Sequence, residues 1–279
     1  MKAAVLGSPV DHSLSPDLHT AGYAAAGLQG WSYGRFRVEG AELPGFVAGL
    51  APDWRGLSLT MPLKRACLAV ADRVTALALR AGAGNTLVRQ ANGGWEAHNT
   101  DVGGLVDALE PHWEPGWTTA AVLGGGATAR SALLALAELG VTRVRCYLRD
   151  PSRAVEVARW AQTEGVGAEV VGAALGEWGR GDEPAVVSTL PPVPGVEASL
   201  TGPRQGLLFD AVYADWPTPL ARRATGAGMT VVGGLDLLVH QAARQFELFT
   251  GVTAPVAAMR AAGLARLAGA GPAEPAGAR

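Results

Sequence analysis

Asp11, His12, Ser13 and Ser15 fall within five residues of one another in "GSPVDHSLSPDLHT", Gly7 to Thr20, and three devices could produce such a cluster. A Ser-His-acid relay is excluded. Asp11, His12 and Ser13 are consecutive, so their side chains alternate faces in an extended stretch, and no nucleophile elbow is present. A helix start is the second device: Ser15, Pro16 and Asp17 read as N-cap, proline at the first helical position and an acid in the first turn. The third builds on the second. Ser13 and Ser15, extended at i and i+2, would turn two hydroxyls to one side beside a helix N-terminus, a seat for a carboxylate. This cradle is the reading retained, and Asp11 and His12 are left with structural roles.

A second signal is "GGGATA", Gly124 to Ala129, which follows an apolar strand pattern and opens a helical one. It fits GxGxxG/A, with Ala129 in the last position. Gly124 permits the tight turn, Gly126 lets the backbone approach a pyrophosphate, and the helix start at Ala127 offers free amides and positive dipole. At the end of the following strand, "YLRDPSR", Arg149 and Arg153 could grip a 2'-phosphate in a bidentate way. Asp150 could instead accept from a ribose 2'-hydroxyl and repel the phosphate. Two arginines against one aspartate favour NADP over NAD.

These residues need elements to position them. The glycine turn lies in "TAAVLGGGATARSALLALAELGVTRVRCYLRD", which reads as strand, helix stopped by Gly140, and strand with Val144, Cys146 and Leu148 on one face: a βαβ unit. Upstream, "KAAVLG", Ser15 to Leu28, "WSYGRFRV", Glu42 to Leu50 and "WRGLSLT" alternate strand and helix patterns; Leu43, Phe46, Val47 and Leu50 sit at i, i+3, i+4 and i+7. Downstream come strands at "AVVSTL", "GLLFDAV" and "MTVVGG", then a helix from Leu235 to Phe249. The fold class is α/β in two domains, joined near residues 101 to 104 and again near 233 to 235.

The chain has 279 residues, 48% hydrophobic and 17% charged, with a net charge of -2 and no basic block, which argues against nucleic-acid and anionic-membrane partners. Cys67 and Cys146 have no metal-ligand spacing, so no metal is indicated and both are expected to be buried thiols of a reducing compartment. The N-terminal apolar run is too short for a signal-peptide core, which gives a cytoplasmic expectation. The Ala/Gly/Pro-rich tail, 269–279, is expected to be disordered.

The polar segments "HSLSP", "SLTMPLK", "AGAGNT", "HNTDVGG", "DAVYADWPTPL" and "GGLDLLVHQ", in this order around the βαβ unit, resemble the shikimate dehydrogenase family, from about Gly7 to Gly251. The resemblance implies a substrate-binding α/β domain over 1–101, a Rossmann-type NADP-binding domain over 102–234, and C-terminal helices, 235–268, returning to the first domain. It implies reversible reduction of 3-dehydroshikimate to shikimate with NADPH. Lys64 and Asp101 would handle the proton, and Ser13, Ser15, Thr60, Asn85, Tyr213 and Gln241 would bind a small molecule with a carboxylate and ring hydroxyls. Gly124, Gly125, Gly126, Ala127, Arg149, Arg153, Thr189 and Gly234 would bind the cofactor. The chain would be a monomer or homodimer.

The residues themselves admit plainer readings. Lys64 follows Pro62, read as a first helical residue, so the macrodipole opposes its charge while Asp101 favours it. Asp101 alone could be an N-cap of a helix from Val102 to Leu109. Ser58 stands where the family usually has Asn, Leu237 where Met is usual, and Leu148 and Asp150 flank Arg149 where Asn and Thr are usual. Acidic residues in that last stretch belong to NAD-preferring quinate/shikimate dehydrogenases, which is the alternative within enzymes. A dinucleotide-binding sensor without turnover is the alternative outside them, and the presence of Lys64, Asp101, Asn85 and Gln241 argues against it.

Overall fold

The apolar run Lys2–Gly7 forms β1, buried from Ala3 onward, in the interior of a six-stranded sheet. The computed structural model describes residues 1–179, 182–192, 194–202 and 204–269. Beside β1 the first sheet holds β2 (Ser32–Arg37), β3 (Trp54–Leu59), β4 (Arg73–Val74), β5 (Thr86–Arg89) and β6 (Trp95–His98), in the order β2-β1-β3-β5-β6-β4. The β2-β1-β3 pairs are parallel, β5 runs antiparallel to both β3 and β6, and β4 is parallel to β6. Helices α1 (Ser15–Ala25), α2 (Leu43–Ala48), α3 (Leu63–Val70) and α4 (Ala76–Ala81) connect these strands.

From α5 (Asp101–Leu109) the chain enters a second, wholly parallel sheet. Its strands β7 (Thr119–Leu123), β8 (Arg143–Leu148), β9 (Glu169–Ala174), β10 (Ala185–Ser188), β11 (Leu207–Asp210) and β12 (Thr230–Gly233) lie in the order β12-β11-β10-β7-β8-β9. Helices α6 (Ala127–Glu138), α7 (Pro151–Thr163) and α8 (Pro219–Ala227) supply connections. Strand order reverses between β7 and β10, the switch point at which open α/β sheets bind ligands.

The last helices, α9 (Gly234–Thr250) and α10 (Val256–Gly269), pack with α1 over the first sheet. Their core joins Leu235, Val239, Phe246, Phe249 and Met259 to Val5, Leu18 and Tyr33. Phe249 lies so near the backbone of β3 that a Cβ on Gly56 would stand 2.0 Å from its ring. Leu237 faces the other way and joins the core of the second sheet, so α9 is buried against both layers.

Several local expectations change. Ser15 does not cap α1: it is the first helical residue, Leu14 occupies the capping position at φ -84° and ψ -6°, and no side chain caps the helix. The Ser13–Ser15 segment is therefore a tight turn and not an extended stretch, and the helix ends at Ala25, short of Leu28. Pro62 holds the capping position of α3, leaving Leu63 as its first residue. Asp101 is likewise inside α5 and caps nothing: the Asn99 Oδ1 accepts from Val102 N at 3.2 Å, which leaves the Asp101 carboxylate for other partners. Residue 269 closes α10, and the rest of the expected disordered tail, 270–279, lies outside the described residues. Both cysteines are buried free thiols.

His19 of α1 is fully buried and stacks on Tyr33 at 4.2 Å between ring centroids. Burial drives its pKa from 6.5 down to about 3. The unfolded chain therefore binds a proton that the folded chain refuses, so the stability this neutral ring permits is complete above pH 6.5 and is lost as pH falls toward 3. Between pH 7 and 5 we expect it to account for roughly 2 kcal/mol of lost stability. Urea unfolding at both pH values should show a smaller loss for His19→Phe than for the parent; equal losses would assign the acid sensitivity elsewhere.

Candidate active site

The strand ends of the first sheet, the start of α5 and one face of α9 enclose a cleft of about 360 Å³. Lys64 enters it from the first turn of α3 and Asp101 from the first turn of α5, and their side chains meet at 2.7 Å. The pair is largely shielded, with side-chain exposures of 20% for Lys64 and 6% for Asp101. Asn85, just before β5, donates from Nδ2 to Asp101 Oδ1 at 2.8 Å and to Thr100 Oγ1 at 2.9 Å. Its Oδ1 in turn accepts from Thr100 N at 2.8 Å and from Thr86 Oγ1 at 2.8 Å. Each oxygen of Asp101 thus has one fixed donor, and the ammonium is held at a known place on the cleft wall.

The remaining substrate-side residues line the same cleft: Ser13, Ser15, Thr60, Tyr213 and Gln241. The turn at Leu14 brings the Ser13 and Ser15 hydroxyls to 3.3 Å, so they do converge, by a route other than the extended one expected. Gln241 is buried on α9, accepting from Asn85 Nδ2 at 3.3 Å and donating to Leu238 O at 2.9 Å. Burial pushes the Tyr213 hydroxyl up, so the phenol stays protonated and able to donate.

Two side chains escaped the sequence reading. Gln245 lies one turn beyond Gln241, on the same face of α9, and is 1% exposed. Its Oε1 accepts from Ser58 Oγ at 2.6 Å, and its Nε2 donates to Asn85 O at 3.1 Å and to Thr86 Oγ1 at 2.9 Å. The i, i+4 spacing of two glutamines on an otherwise apolar stripe was the available signal. His12, left with a structural role, also lines the cleft.

Thr128 carries the N-terminus of α6 to the same cleft. Gly124 has φ +115°, a conformation suited to glycine, and a Cβ there would stand 2.5 Å from Thr189 Oγ1. Thr189 itself donates to Leu123 O at 3.1 Å across the switch point. Gly125 packs against Leu148, and a Cβ on Gly126 would meet nothing within 4 Å. Open space thus lies over a helix start whose first amides, from Ala127 on, lack intrahelical acceptors. Those are the features an anionic pyrophosphate fits. Gly234 opens α9 at the cleft, and a Cβ there would fall 2.1 Å from Ala211 O.

Arg149 in the β8-to-α7 turn and Arg153 in the first turn of α7 are both exposed, and neither forms an ion pair among the described residues. Asp150 between them caps α7: its Oδ1 accepts from Ser152 N at 2.9 Å and from Ser152 Oγ at 2.7 Å. These bonds hold its carboxyl below the usual range. The residues present thus offer a pyrophosphate seat and, at the second strand's end, two free guanidiniums.

Residues 5–87 match the family model "Shikimate dehydrogenase substrate binding domain", and 234–262 match "Shikimate 5'-dehydrogenase C-terminal domain". The chain is 36% identical over 279 residues to shikimate dehydrogenase (NADP(+)) of Synechococcus sp. strain JA-3-3Ab, covering 95% of this chain and 93% of that one. Among solved structures, Mycobacterium tuberculosis shikimate dehydrogenase superposes with a TM-score of 0.85 at 42% identity, covering 95% of this chain and 99% of that one. A Thermus thermophilus shikimate 5-dehydrogenase in complex with NADP(H) and shikimate superposes with a TM-score of 0.84 at 33% identity, over 96% of this chain and all of that one. The likeness spans both sheets and the returning helices, and with it the chain belongs to the shikimate dehydrogenase family.

Proposed function

We propose that this chain catalyses the reversible, NADPH-dependent reduction of 3-dehydroshikimate to shikimate, acting in the cytoplasm as a monomer or homodimer. The observation that carries the reading is the Lys64–Asp101 pair, set at 2.7 Å in a cleft that Thr128, at the start of α6, also lines. A family relative binds NADP(H) and shikimate on the same fold. We take residues 1–101 as the substrate domain, 102–234 as the cofactor domain and 235–268 as helices serving the first.

Gly124 to Ala127 would hold the cofactor's pyrophosphate, with Thr189 nearby, and Gly234 would lie beside its nicotinamide, which when bound would supply or accept the hydride. The chain's own residues do the rest. Lys64 hands a proton to the carbonyl oxygen as it becomes an alkoxide, and takes it back in the reverse direction. Asp101 keeps the ammonium aimed at that oxygen, and Asn85 keeps Asp101 in place. Ser13 and Ser15 seat the carboxylate, Tyr213 adds a phenolic hydroxyl near the substrate, and Thr60, Asn85 and Gln241 face the ring hydroxyls and fix which carbon is presented. Arg149 and Arg153 hold the 2'-phosphate in a bidentate manner. Asp150 is accounted for by the helix it caps.

Initial rates with NADPH and NADH on 3-dehydroshikimate, and with NADP and NAD on shikimate and quinate, test the assignment. NADP with shikimate should be preferred; a strong NAD preference or a preference for quinate would replace it, and cofactor binding without any turnover would make the chain a sensor. Lys64→Ala should lower kcat by about two to four orders of magnitude, the usual size of general acid/base help. A near-normal kcat with a raised KM would move Lys64 from proton transfer to binding. Replacing Ser13 and Ser15 together by alanine should raise the KM for shikimate far more than it lowers kcat, and the reverse pattern would place them in the chemistry.

A further inference from the structure

The carboxylate seat at Ser13 and Ser15 is short of positive charge. The permanently charged side chains on the cleft wall, Lys64 and Asp101, neutralise each other at 2.7 Å. The start of α1 contributes less than a helix N-terminus ordinarily does. Ser15 N is directed to Ser13 Oγ at 3.3 Å, Pro16 has no N–H, and Asp17 brings a negative charge into the first turn. Two hydroxyls alone would recognise a neutral ligand nearly as well as an anion.

One cation addresses this seat from outside the cleft wall. Arg35 lies on β2, two residues beyond Tyr33 and so on the same face of the strand. Its Nη2 donates to Ser13 O at 2.7 Å. Its charge also reaches Tyr213, where it partly offsets the upward push of burial on the hydroxyl. Among the described residues no carboxylate pairs with it: Asp17 shares its groove without forming an ion pair.

We propose that Arg35 is a specificity-determining residue, whose guanidinium fastens the Ser13 turn and supplies the uncompensated positive charge that selects a carboxylate over a neutral group at this seat. The inference rests on the substrate assignment above in one respect, that the ligand seated there is a cyclohexene carboxylate. Because Arg35 acts through the Ser13 backbone and through space, it is a positioning and electrostatic residue, and kcat should be nearly indifferent to it.

The test is calorimetric titration of the parent, Arg35→Gln and Arg35→Lys with shikimate and with its uncharged methyl ester, at low and at 0.5 M added salt, alongside steady-state kinetics. The parent should bind the acid more tightly than the ester. Arg35→Gln should weaken binding of the acid by about tenfold, leave the ester within about twofold, and lose most of the salt dependence, while Arg35→Lys restores part of the discrimination. Where turnover is measured, kcat and the KM for NADP should stay within about twofold of the parent. Equal losses for acid and ester would reduce Arg35 to a structural prop, and an unchanged acid affinity, or a parent that does not distinguish acid from ester, would overturn the proposal outright. A parent that distinguishes them through Arg35 yet turns neither over would leave this inference standing and remove the enzymatic one.

Discussion

Asp101 belongs to the first turn of the helix that leads into the second sheet, and Lys64 to a helix of the first; their 2.7 Å contact depends on how the two layers are joined. Such a shielded pair is poor value as a stabilising device. Desolvating two charges offsets most of their attraction, and apolar replacements of similar volume often leave a fold equally stable, whereas losing one partner strands the other at a cost of about 3–5 kcal/mol. The surrounding bonds fit a requirement of geometry better. Asn85 donates to Asp101 Oδ1 and is itself fixed by Thr86 and Thr100, while Gln245 secures the Asn85 carbonyl and ties it to Ser58 on the neighbouring strand. The result is a polar wall in which a lysine, free to rotate elsewhere, has one position.

That wall requires α9 to lie very close to α5. At Gly104 a Cβ would stand 2.8 Å from Gln241 N, so any side chain there would lift α9 away and take Gln241 with it. Three residues further along α5, Asp107 receives Arg244 in a bidentate pair with both bonds at 2.8 Å, which sets the axial register of the two helices. Gly234 does the same at the start of α9, where the backbone of Ala211 occupies the space of a Cβ. These contacts couple the returning helix to both sheets. The cleft is consequently a property of the junction and not of either layer alone.

The parts of this arrangement that were legible in the sequence are those written in local pattern. The βαβ unit, the glycine turn and the apolar stripe of α9 depend on periodicity and on backbone freedom, and they lie where expected. So do the candidate site residues on the substrate side, which gather at one cleft because the motifs sit at strand ends and helix starts. What local pattern could not give is which partner wins a polar side chain. Ser15, Asp101 and Asp150 all looked like helix caps or ligand contacts, and only Asp150 caps. Asp101 is taken from its helix by Lys64 and Asn85, residues 37 and 16 positions away, and Asn99 fills the vacancy. Gln245 is reached by Ser58 across 187 residues, a pairing no short-range rule encodes.

The cofactor side illustrates the same point in charge. Counting two arginines against one aspartate treats the three as equivalent and free, and they are not equivalent. The Asp150 Oδ1 accepts two bonds from Ser152, so part of its capacity to receive a ribose hydroxyl is already used within its own helix. Its remaining influence on a phosphate is that of an exposed charge in water, weak and screened by salt. A guanidinium meeting a phosphate does so through two directed hydrogen bonds, which distance and screening reduce much less. The proposed preference for a 2'-phosphate therefore rests on which groups have donors or acceptors left to offer, and the cap of α7 is what weighs it toward the arginines.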